Sequence, residues 1–480
     1  MNAHHQRELV IIGGGPAGLA AAIEARRTGV QTTIVDERAT LGGQIYKQLP
    51  RAFKIHEPRR LGKDYVAGRK LIEEVEASGV EIRLNTVAWG IWDKSIAIYQ
   101  EGTDAGVLHA TQIILATGAY DRPVVFPGWT LPGVMTAGGA QSLIKTQRVL
   151  PGRRILMAGS GPLVLAFSAQ LHQYGANVAA VLEAAPLPGL PVIAKLLAAA
   201  PGNLNLLRDG LGYIAYLRAK RIPFLHSHVI VRAEGREEVE RAVIAKVGRD
   251  WCPIPGTERT IDVDTICLGY GFFPSVELGL LCGCQHTYDE GLGGHVPVRD
   301  EAMRSTVPGV LIAGDGSGVA GSAVAIEEGR IAGITAALEL GHLSEAEASR
   351  RAGPARTRLA TLERFRAALT SAYPVGPGIY ELCTPETVVC RCEEVTAAEI
   401  TANILPGSAD PNSVKNLTRA GMGQCQGRNC SRQVASLVAR TAGKSIPEVP
   451  MFTPRPPAKL VPIALVAEER PEEEPVAEVG

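Results

Sequence analysis

The chain has 480 residues, 46% hydrophobic and 20% charged, enough for two to four domains of roughly 150 residues with sizeable cores. Lys and Arg balance Asp and Glu at 49 each, so the net charge of +0 favours neither nucleic acid nor an anionic membrane as partner. No run reaches the ~18 apolar residues of a spanning helix. MNAHHQRE runs straight into an apolar strand without a signal peptide, so the cytoplasm is the expected compartment. Four of the nine cysteines form two tight pairs near the C-terminus, which in a reducing compartment points to metal more than to disulfides.

Residues 10–37, VIIGGGPAGLAAAIEARRTGVQTTIVDE, read as strand, glycine turn, helix, strand and acid. Gly13, Gly15 and Gly18 serve a tight turn, a backbone approach to a pyrophosphate and close helix–strand packing. Pro16 and Ala17 complete the turn. The helix N-terminus offers partial positive charge to phosphates, and Asp36 or Glu37 can accept from a ribose. This is a dinucleotide site, and its N-terminal position favours FAD. Gly43 and Gln44 lie in a loop passing near the flavin. Residues 64–78 read as an amphipathic helix, and 80–86 and 95–100 as strands. Val87 sits where a strand edge could meet an adenine through its backbone.

The strand 112–118 ends in Ala116-Thr117-Gly118, which resembles the boundary of flavoproteins with two dinucleotide-binding domains. Residues 153–183 repeat the opening logic with Gly159 and Gly161, but Val164 replaces the third glycine. A β-branched residue there is expected to push helix from strand. NAD(P)H binding therefore stays open, against a fold that has lost or changed its ligand. A Pro- and Ala-rich insertion follows Glu183. Residues 211–220 read as helix. Residues 224–232 read as one strand, with His226 and His228 on one face, and 241–247 and 265–269 as further strands. Cys282, Cys284 and His286 read as small buried residues of a loop rather than as ligands. VLIAGD then ends a buried strand at Gly314-Asp315 and feeds a long helix, returning the chain to the first domain. By analogy with two-domain flavoproteins, Asp315 would bond the ribityl chain, and the helix N-terminus would face the flavin pyrimidine. Gly353-Pro354 is expected to break the chain before an amphipathic helix over 355–372.

Cys390-Arg391-Cys392, two short helices, Cys425-x4-Cys430 and a third helix close the folded part; Thr396 and Glu399 form a capping box. Four thiolates at this spacing suit zinc or a [2Fe-2S] cluster equally. CRCEEVT with GMGQCQGRNC resembles the [2Fe-2S] module of bacterioferritin-associated ferredoxin type, in the version of anaerobic glycerol-3-phosphate dehydrogenase and of opine oxidase large subunits. GGQIYK, ATGAYDRPVVFPGWTLPGVMTAGGAQ and LIAGDGSGVAGSAVAIEEGRIAG resemble the group of the opine oxidase large subunit, hydrogen cyanide synthase and hydroxyproline dehydrogenase, from about Leu9 to Arg440. The resemblance implies FAD at Gly13, Gly15, Gly18, Asp36, Gly314 and Asp315, and a cluster on Cys390, Cys392, Cys425 and Cys430. It also implies an amino-acid-oxidase-like partner subunit that oxidises a C–N bond, a small ferredoxin-like subunit as a further partner, and FMN between subunits.

The expected fold is α/β. A discontinuous FAD-binding domain (1–125 and 290–345) is joined by a second NAD(P)-binding-like domain (126–289), both Rossmann-like. A helical linker (346–384), a small mostly helical [2Fe-2S] domain (385–447) and a Pro/Glu-rich tail (448–480) follow. The tail cannot bury enough apolar surface to order itself; a docking strand for a partner around 460–466 is the alternative. The expected function is electron relay from a partner subunit's amine or amino-acid oxidation to an acceptor. The competing readings are a self-sufficient NAD(P)H-dependent reductase, a zinc-bearing scaffold and a glycerol-3-phosphate dehydrogenase-like flavoprotein. No thiol pair lies in GVMTAGGAQ, where disulfide reductases of this architecture keep theirs, and no acid–base pair for substrate oxidation stands out.

Overall fold

The computed structural model describes residues 6–50, 52–101 and 105–467. Strand β1 (Gln6–Ile12) buries its apolar end, as a central parallel strand must. The chain turns at Gly13, φ +110°, into helix α1 (Pro16–Arg26). Pro16 stands in the first turn, where a missing N–H costs nothing. Strand β2 (Thr32–Val35) lies parallel to β1, and helix α2 (Lys63–Ala77) leads to β3 (Glu81–Arg83), parallel to β2.

The single strand expected over 80–86 is two elements. Asn85 takes φ +50°, and the chain turns into β4 (Thr86–Trp92), which forms a hairpin with β5 (Ser95–Gln100). Asp93 and Lys94 make the turn at positive φ (42° and 65°). Such turns usually announce themselves as Asn-Gly, so Asp-Lys hid this one. Strand β6 (Ala105–Leu115) continues the antiparallel meander with its first half and enters the parallel core beside β1 with its second.

Strand β7 (Ala119–Asp121) crosses into the second unit, which contains β8 (Val134–Thr136), α3 (Ala137–Ser142), β9 (Arg154–Gly159), α4 (Pro162–Gln173) and β10 (Asn177–Glu183). The insertion after Glu183 folds into α5 (Leu190–Ala198) and the first turns of α6 (Leu204–Ala219). Strand β11 (Phe224–His226) adds in parallel to β10. His226 and His228 do not share a strand face. Ser227 breaks the strand at φ +55°, and His228 opens a separate antiparallel sheet of β12 (His228–Glu234), β13 (Arg241–Lys246) and β14 (Arg259–Asp262). Strand β15 (Thr265–Gly269) completes the parallel order β11-β10-β9-β15-β8.

Val164 does not force α4 away. Its Cγ2 lies 2.8 Å from where a Cβ on Gly159 would stand and 3.5 Å from one on Gly269. Those two strand glycines give up the volume that the helix takes.

Strand β16 (Phe272–Pro274) pairs with β7, and α7 (Glu277–Leu281) already rejoins the first domain: Leu278 and Cys284 share a core with Ile91 and Ile96. Cys282 packs at the edge of the same core. The hairpin of β17 (His286–Asp289) and β18 (Gly294–Pro297) precedes β19 (Val310–Ile312), which lies parallel to β6. Helix α8 (Ser322–Glu339) crosses α1 so closely that a Cβ on Gly329 or Gly333 would overlap the carbonyl of Ala17 or Ala21.

The expected break at Gly353-Pro354 does not occur. Helix α9 runs unbroken over Glu345–Ala372, started by a capping box of Ser344 and Glu347. Ala348, Ala352 and Ala355 are buried in the first core and hold the helix through the proline, whose ring faces solvent. Farther along, the Thr361 carbonyl accepts from Asn203 Nδ2 (3.1 Å) and Arg358 Nη1 donates to the Gly202 carbonyl (2.7 Å), so α9 braces both domains.

The cysteine module holds β20 (Val388–Cys390), β21 (Val395–Thr396), α10 (Ala397–Ala402), α11 (Pro411–Thr418) and α12 (Ser431–Ala442). It shares one hydrophobic core with the second domain, running from Val124 and Trp251 through Val389 to Leu437. Trp129 Nε1 donates to the Val388 carbonyl at this seam (2.5 Å). The tail is not free along its first part. Ala458 is buried and its N–H donates to the Trp89 carbonyl (2.7 Å), and the described chain ends in α13 (Ile463–Ala467). Residues 468–480 of the expected tail lie outside the described residues. Among the described residues no helix is long and apolar enough to cross a membrane.

Two glycine substitutions report on this packing by urea denaturation. Gly329→Val, against the α1 backbone, should destabilise by about 3 kcal/mol or more, since neither backbone can yield. Gly210→Ala, in α6 with open space around it, should stabilise by roughly 0.5–1 kcal/mol.

Candidate functional site

Four glycine-containing segments meet at the carboxyl ends of β1, β6 and β19, where open α/β sheets bind ligands. A Cβ on Gly13 would overlap the Ala116 carbonyl, and one on Gly18 the Gly13 carbonyl. Gly42 N–H donates to the Gly14 carbonyl (2.8 Å), bringing Gly43 over Gly15 and leaving Gln44 exposed. A Cβ on Gly314 would stand 2.8 Å from the Cβ of Ala17, and one on Gly316 the same distance from Thr117 Oγ1. Thr117 Oγ1 donates to the Ser275 carbonyl (2.8 Å), and Ser275 N–H to the Gly118 carbonyl (2.9 Å). Asp315 is partly buried where Ala320 and Gly321 N–H donate to its Oδ1 (3.0 and 2.9 Å), at the entrance to α8. Burial pushes its pKa up. The sequence motifs containing Gly13, Gly15, Pro16, Ala17, Gly18, Gly43, Ala116, Thr117, Gly118, Gly314 and Asp315 are thus one cleft. Val87 follows Thr86, whose N–H donates to the Asp36 carbonyl (2.9 Å).

The two acids after β2 have different surroundings. Asp36 is buried, its Oδ2 accepting from Gly14 N–H (2.6 Å) and its Oδ1 from Arg38 N–H (2.8 Å). Burial pushes its pKa up against those bonds. Asp36 is a clamp on the glycine turn. Glu37 faces outward, half-exposed, and pairs with Lys459 of the tail (3.0 Å).

The second glycine turn has the same clamp. Gly161 N–H donates to Glu183 Oε2 and Ala185 N–H to Oε1, both 2.9 Å. Here an aromatic ring stands beside the mouth. A Cβ on Gly161 would stand 4.0 Å from the ring of Tyr373 at the end of α9, and burial pushes the Tyr373 hydroxyl up to about 12.

The four cysteines of the C-terminal module come together as two pairs. Cys390 and Cys430 are both buried, and each of the two pairs, Cys390 with Cys430 and Cys392 with Cys425, lies close enough for one thiol to shift the other's pKa. The Cys430 thiol and backbone N–H groups of Gly421, Glu393 and Cys392 hold the Cys390 thiol down at about 6, as a thiolate site requires. Among the described residues no group of three or more His, Cys, Asp or Glu closes around a single ion. Phe452 of the tail packs over Gly421 and Gly427 beside the cysteine loop.

Arg428, inside the Cys425–Cys430 loop, ties this module to the cleft. Its guanidinium lies over the Tyr120 ring (5.1 Å to the centroid), pairs with Glu277 (3.0 Å) and donates to the carbonyls of Cys425 (3.1 Å) and Ala458 (2.8 Å). Tyr120 stands two residues beyond Gly118, and Ser275 Oγ donates to its hydroxyl (3.1 Å). Lys459 covers the same ring at 5.3 Å.

Sequence spacing missed one cluster. Lys47 is buried, and its ammonium donates to Ser142 Oγ across the domain boundary. Burial, then Arg38 and Lys145, pull it down to about 7. Close by, Asp121 Oδ2 accepts from Thr136 Oγ1 (3.0 Å) and Oδ1 from Gly138 N–H (3.2 Å), with a pKa raised by burial. The cluster surrounds α3, the segment without a thiol pair. Residues 47, 121 and 142 have no sequence pattern to join them.

The pyridine nucleotide-disulphide oxidoreductase family matches residues 7–341, and the sarcosine oxidase A3 domain matches residues 384–470. Along almost its whole length the chain is similar to hydrogen cyanide synthase subunit HcnB of Pseudomonas aeruginosa, with 34% identity covering 95% of this chain and 97% of that one. It is also similar to the A subunit of opine oxidase from Agrobacterium tumefaciens, with 32% identity covering 96% and 91%. The crystal structure of L-proline dehydrogenase from P. horikoshii has the same fold, with a TM-score of 0.67 at 22% identity over 96% of this chain and 79% of that one. The chain belongs to the pyridine nucleotide-disulphide oxidoreductase family. Within it, the protein is a flavoprotein oxidoreductase of the group containing the opine oxidase A subunit and hydrogen cyanide synthase subunit HcnB.

The separate roles of the two acids can be measured. Asp36→Ala leaves one buried and one half-buried amide without its acceptor and should cost about 2–3 kcal/mol in thermal denaturation. Glu37→Ala removes only a half-exposed ion pair and should cost less than about 1 kcal/mol. Its effect should instead appear as faster flavin loss on dialysis.

Proposed function

We propose that this chain is the FAD- and [2Fe-2S]-holding subunit of a heteromeric dehydrogenase. It relays electrons released when an amino-acid-oxidase-like partner oxidises a C–N bond in an opine, proline, hydroxyproline or glycine. The observation that carries this reading is Arg428, which joins the cysteine loop to the Ala116–Tyr120 turn through one guanidinium. A one-electron and a two-electron carrier need such a fixed short separation.

The cleft suits FAD by the chemistry of its donors. Backbone N–H groups at Gly15–Gly18 and the N-terminus of α1 would hold the pyrophosphate. Glu37 would accept from the ribose, exchanging its bond to Lys459. Val87 would meet the adenine through its backbone, Asp315 would hold the ribityl chain, and Gly43, Gln44 and Ala116–Gly118 would border the ring. Cys390, Cys392, Cys425 and Cys430 lie near one another and would hold the iron pair, the spacing being that of the [2Fe-2S] module the sequence resembles. When bound, FAD supplies two-electron acceptance with one-electron release, and the iron pair supplies a one-electron carrier. The chain's own part is to fix both sites on one rigid body and to keep compensating charge, from Arg428 and Lys459, between them.

The subunit names of the relatives support a partner. FMN at the subunit interface and a small ferredoxin-like subunit belong to the same reading. Tyr373 over the second glycine turn argues against a self-sufficient NAD(P)H reductase.

Anaerobic purification, alone and with a co-expressed amino-acid-oxidase-like partner, tests this. The expected product has a flavin spectrum and about two acid-labile sulfides per chain. Cys425→Ser should lose the sulfide and keep the flavin. NADH should leave the flavin oxidised, and proline, hydroxyproline or opine turnover should need the partner. Stoichiometric zinc without sulfide, or full turnover by the lone chain, overturns the reading.

A further inference from the structure

A cavity of about 580 Å³ opens between the two dinucleotide-fold domains. The loop around Ile45 and Leu49 and the start of α2 form one wall, and α6 with the carboxyl end of α4 forms the other. It is therefore not the second dinucleotide site, whose glycine turn lies at the opposite end of α4.

Its charge is unbalanced. Lys63 and Asp209 pair with each other across it. Among the lining residues that leaves Lys47, Lys145, Arg148 and Arg208 with Asp64; Asp121 lies near Lys47 from outside the lining. Lys47 is 4% exposed, and among the described residues its hydrogen-bond partner is Ser142. Lys145 reaches only the Ile45 carbonyl, at 3.5 Å. Neither lysine has a carboxylate within ion-pairing distance among the described residues. Burial draws the Lys47 ammonium toward its neutral form, an anion in the cavity would hold both lysines charged, and nothing in the proposed relay uses these two. Arg148 lies over the Tyr174 ring (4.9 Å), and Tyr213 and Tyr216 continue the same wall. Aromatic faces beside clustered cations fit a flat or apolar body with an anionic end. The volume is within the range of about 300–1,000 Å³ typical of small-molecule sites and is far larger than an inorganic ion needs.

We propose that this cavity binds a small organic oxyanion, a carboxylate or a phosphate ester, with Lys47, Lys145 and Arg148 as counter-ions and the tyrosines along its body. The ligand would bridge the two domains, because Lys47 comes from the first and Lys145 and Arg148 from the second.

Isothermal titration calorimetry on the full chain with its cofactors tests this, using sodium malonate, adenosine 5′-monophosphate and inorganic phosphate, with malonamide and adenosine as neutral counterparts. Saturable binding of malonate or of the nucleotide at one site per chain is expected. Malonate alone identifies a carboxylate site, and the nucleotide alone a phosphate-ester site. Lys145→Gln and Arg148→Gln should each weaken binding by roughly tenfold, the scale of one charge-assisted contact. Arg148 is exposed, so its variant carries the test if Lys145→Gln fails to fold. Three results overturn the proposal: no saturable heat at millimolar probe, equal affinity for the neutral counterparts, or unchanged affinity in the folded variants. Binding of inorganic phosphate alone also overturns it, because the organic body would then contribute nothing.

Discussion

The molecule depends on backbone touching backbone where side chains are missing. Gly18 lets α1 close on the Gly13 carbonyl, while Gly329 and Gly333 let α8 close on α1 from the other side. Because α1 is clamped between its own strand and α8, the ends of β1, β6 and β19 and the two helix N-termini converge on one cleft. Ordinary side chains at these positions would hold the layers apart. The cleft would then lose its aligned N–H groups, the kind of arrangement that favours an anion.

The second unit has the same topology with its volumes rearranged. Gly159 and Gly269 on the strands make room for Val164 on the helix, so the layers still pack. The carboxylate clamp is also kept, as Glu183 does for Gly161 what Asp36 does for Gly14. The mouth differs. Tyr373 stands over it because α9 runs on through Pro354 to the second domain. One helix thus braces two domains and brings an aromatic ring to the second nucleotide turn. Fold and ligand site are separable, and here the fold is kept while the surroundings of the turn differ.

The cysteine module is an extension of the second domain's core, and Arg428 orients it toward the cleft. That contact is held from several directions at once, by Tyr120, Glu277 and the tail carbonyl of Ala458. The tail closes this seam. It is polar and proline-rich, yet it docks because Lys459 meets Glu37 and Tyr120, and Ala458 joins its backbone to Trp89. Order over 450–459 therefore comes from specific partners rather than from buried apolar area of its own.

Features that depend on neighbours in sequence were legible from the sequence alone. The Gly13-x-Gly15-x-x-Gly18 turn, the Gly314-Asp315 strand end, the Thr396–Glu399 capping box and the close spacing of the paired cysteines each show within a few residues. Spacing at that range fixes geometry directly. Tertiary structure decided which acid faces out, whether Pro354 ends a helix, how the tail lies, and that Lys47, Asp121 and Ser142 meet. Those outcomes rest on contacts between residues tens to hundreds of positions apart, whose energies compete with local preference. Ala348, Ala352 and Ala355 outweighed a proline, and Lys459 gave an otherwise unstructured stretch somewhere to bind. No local pattern records such a competition, because its result depends on what the rest of the chain brings alongside.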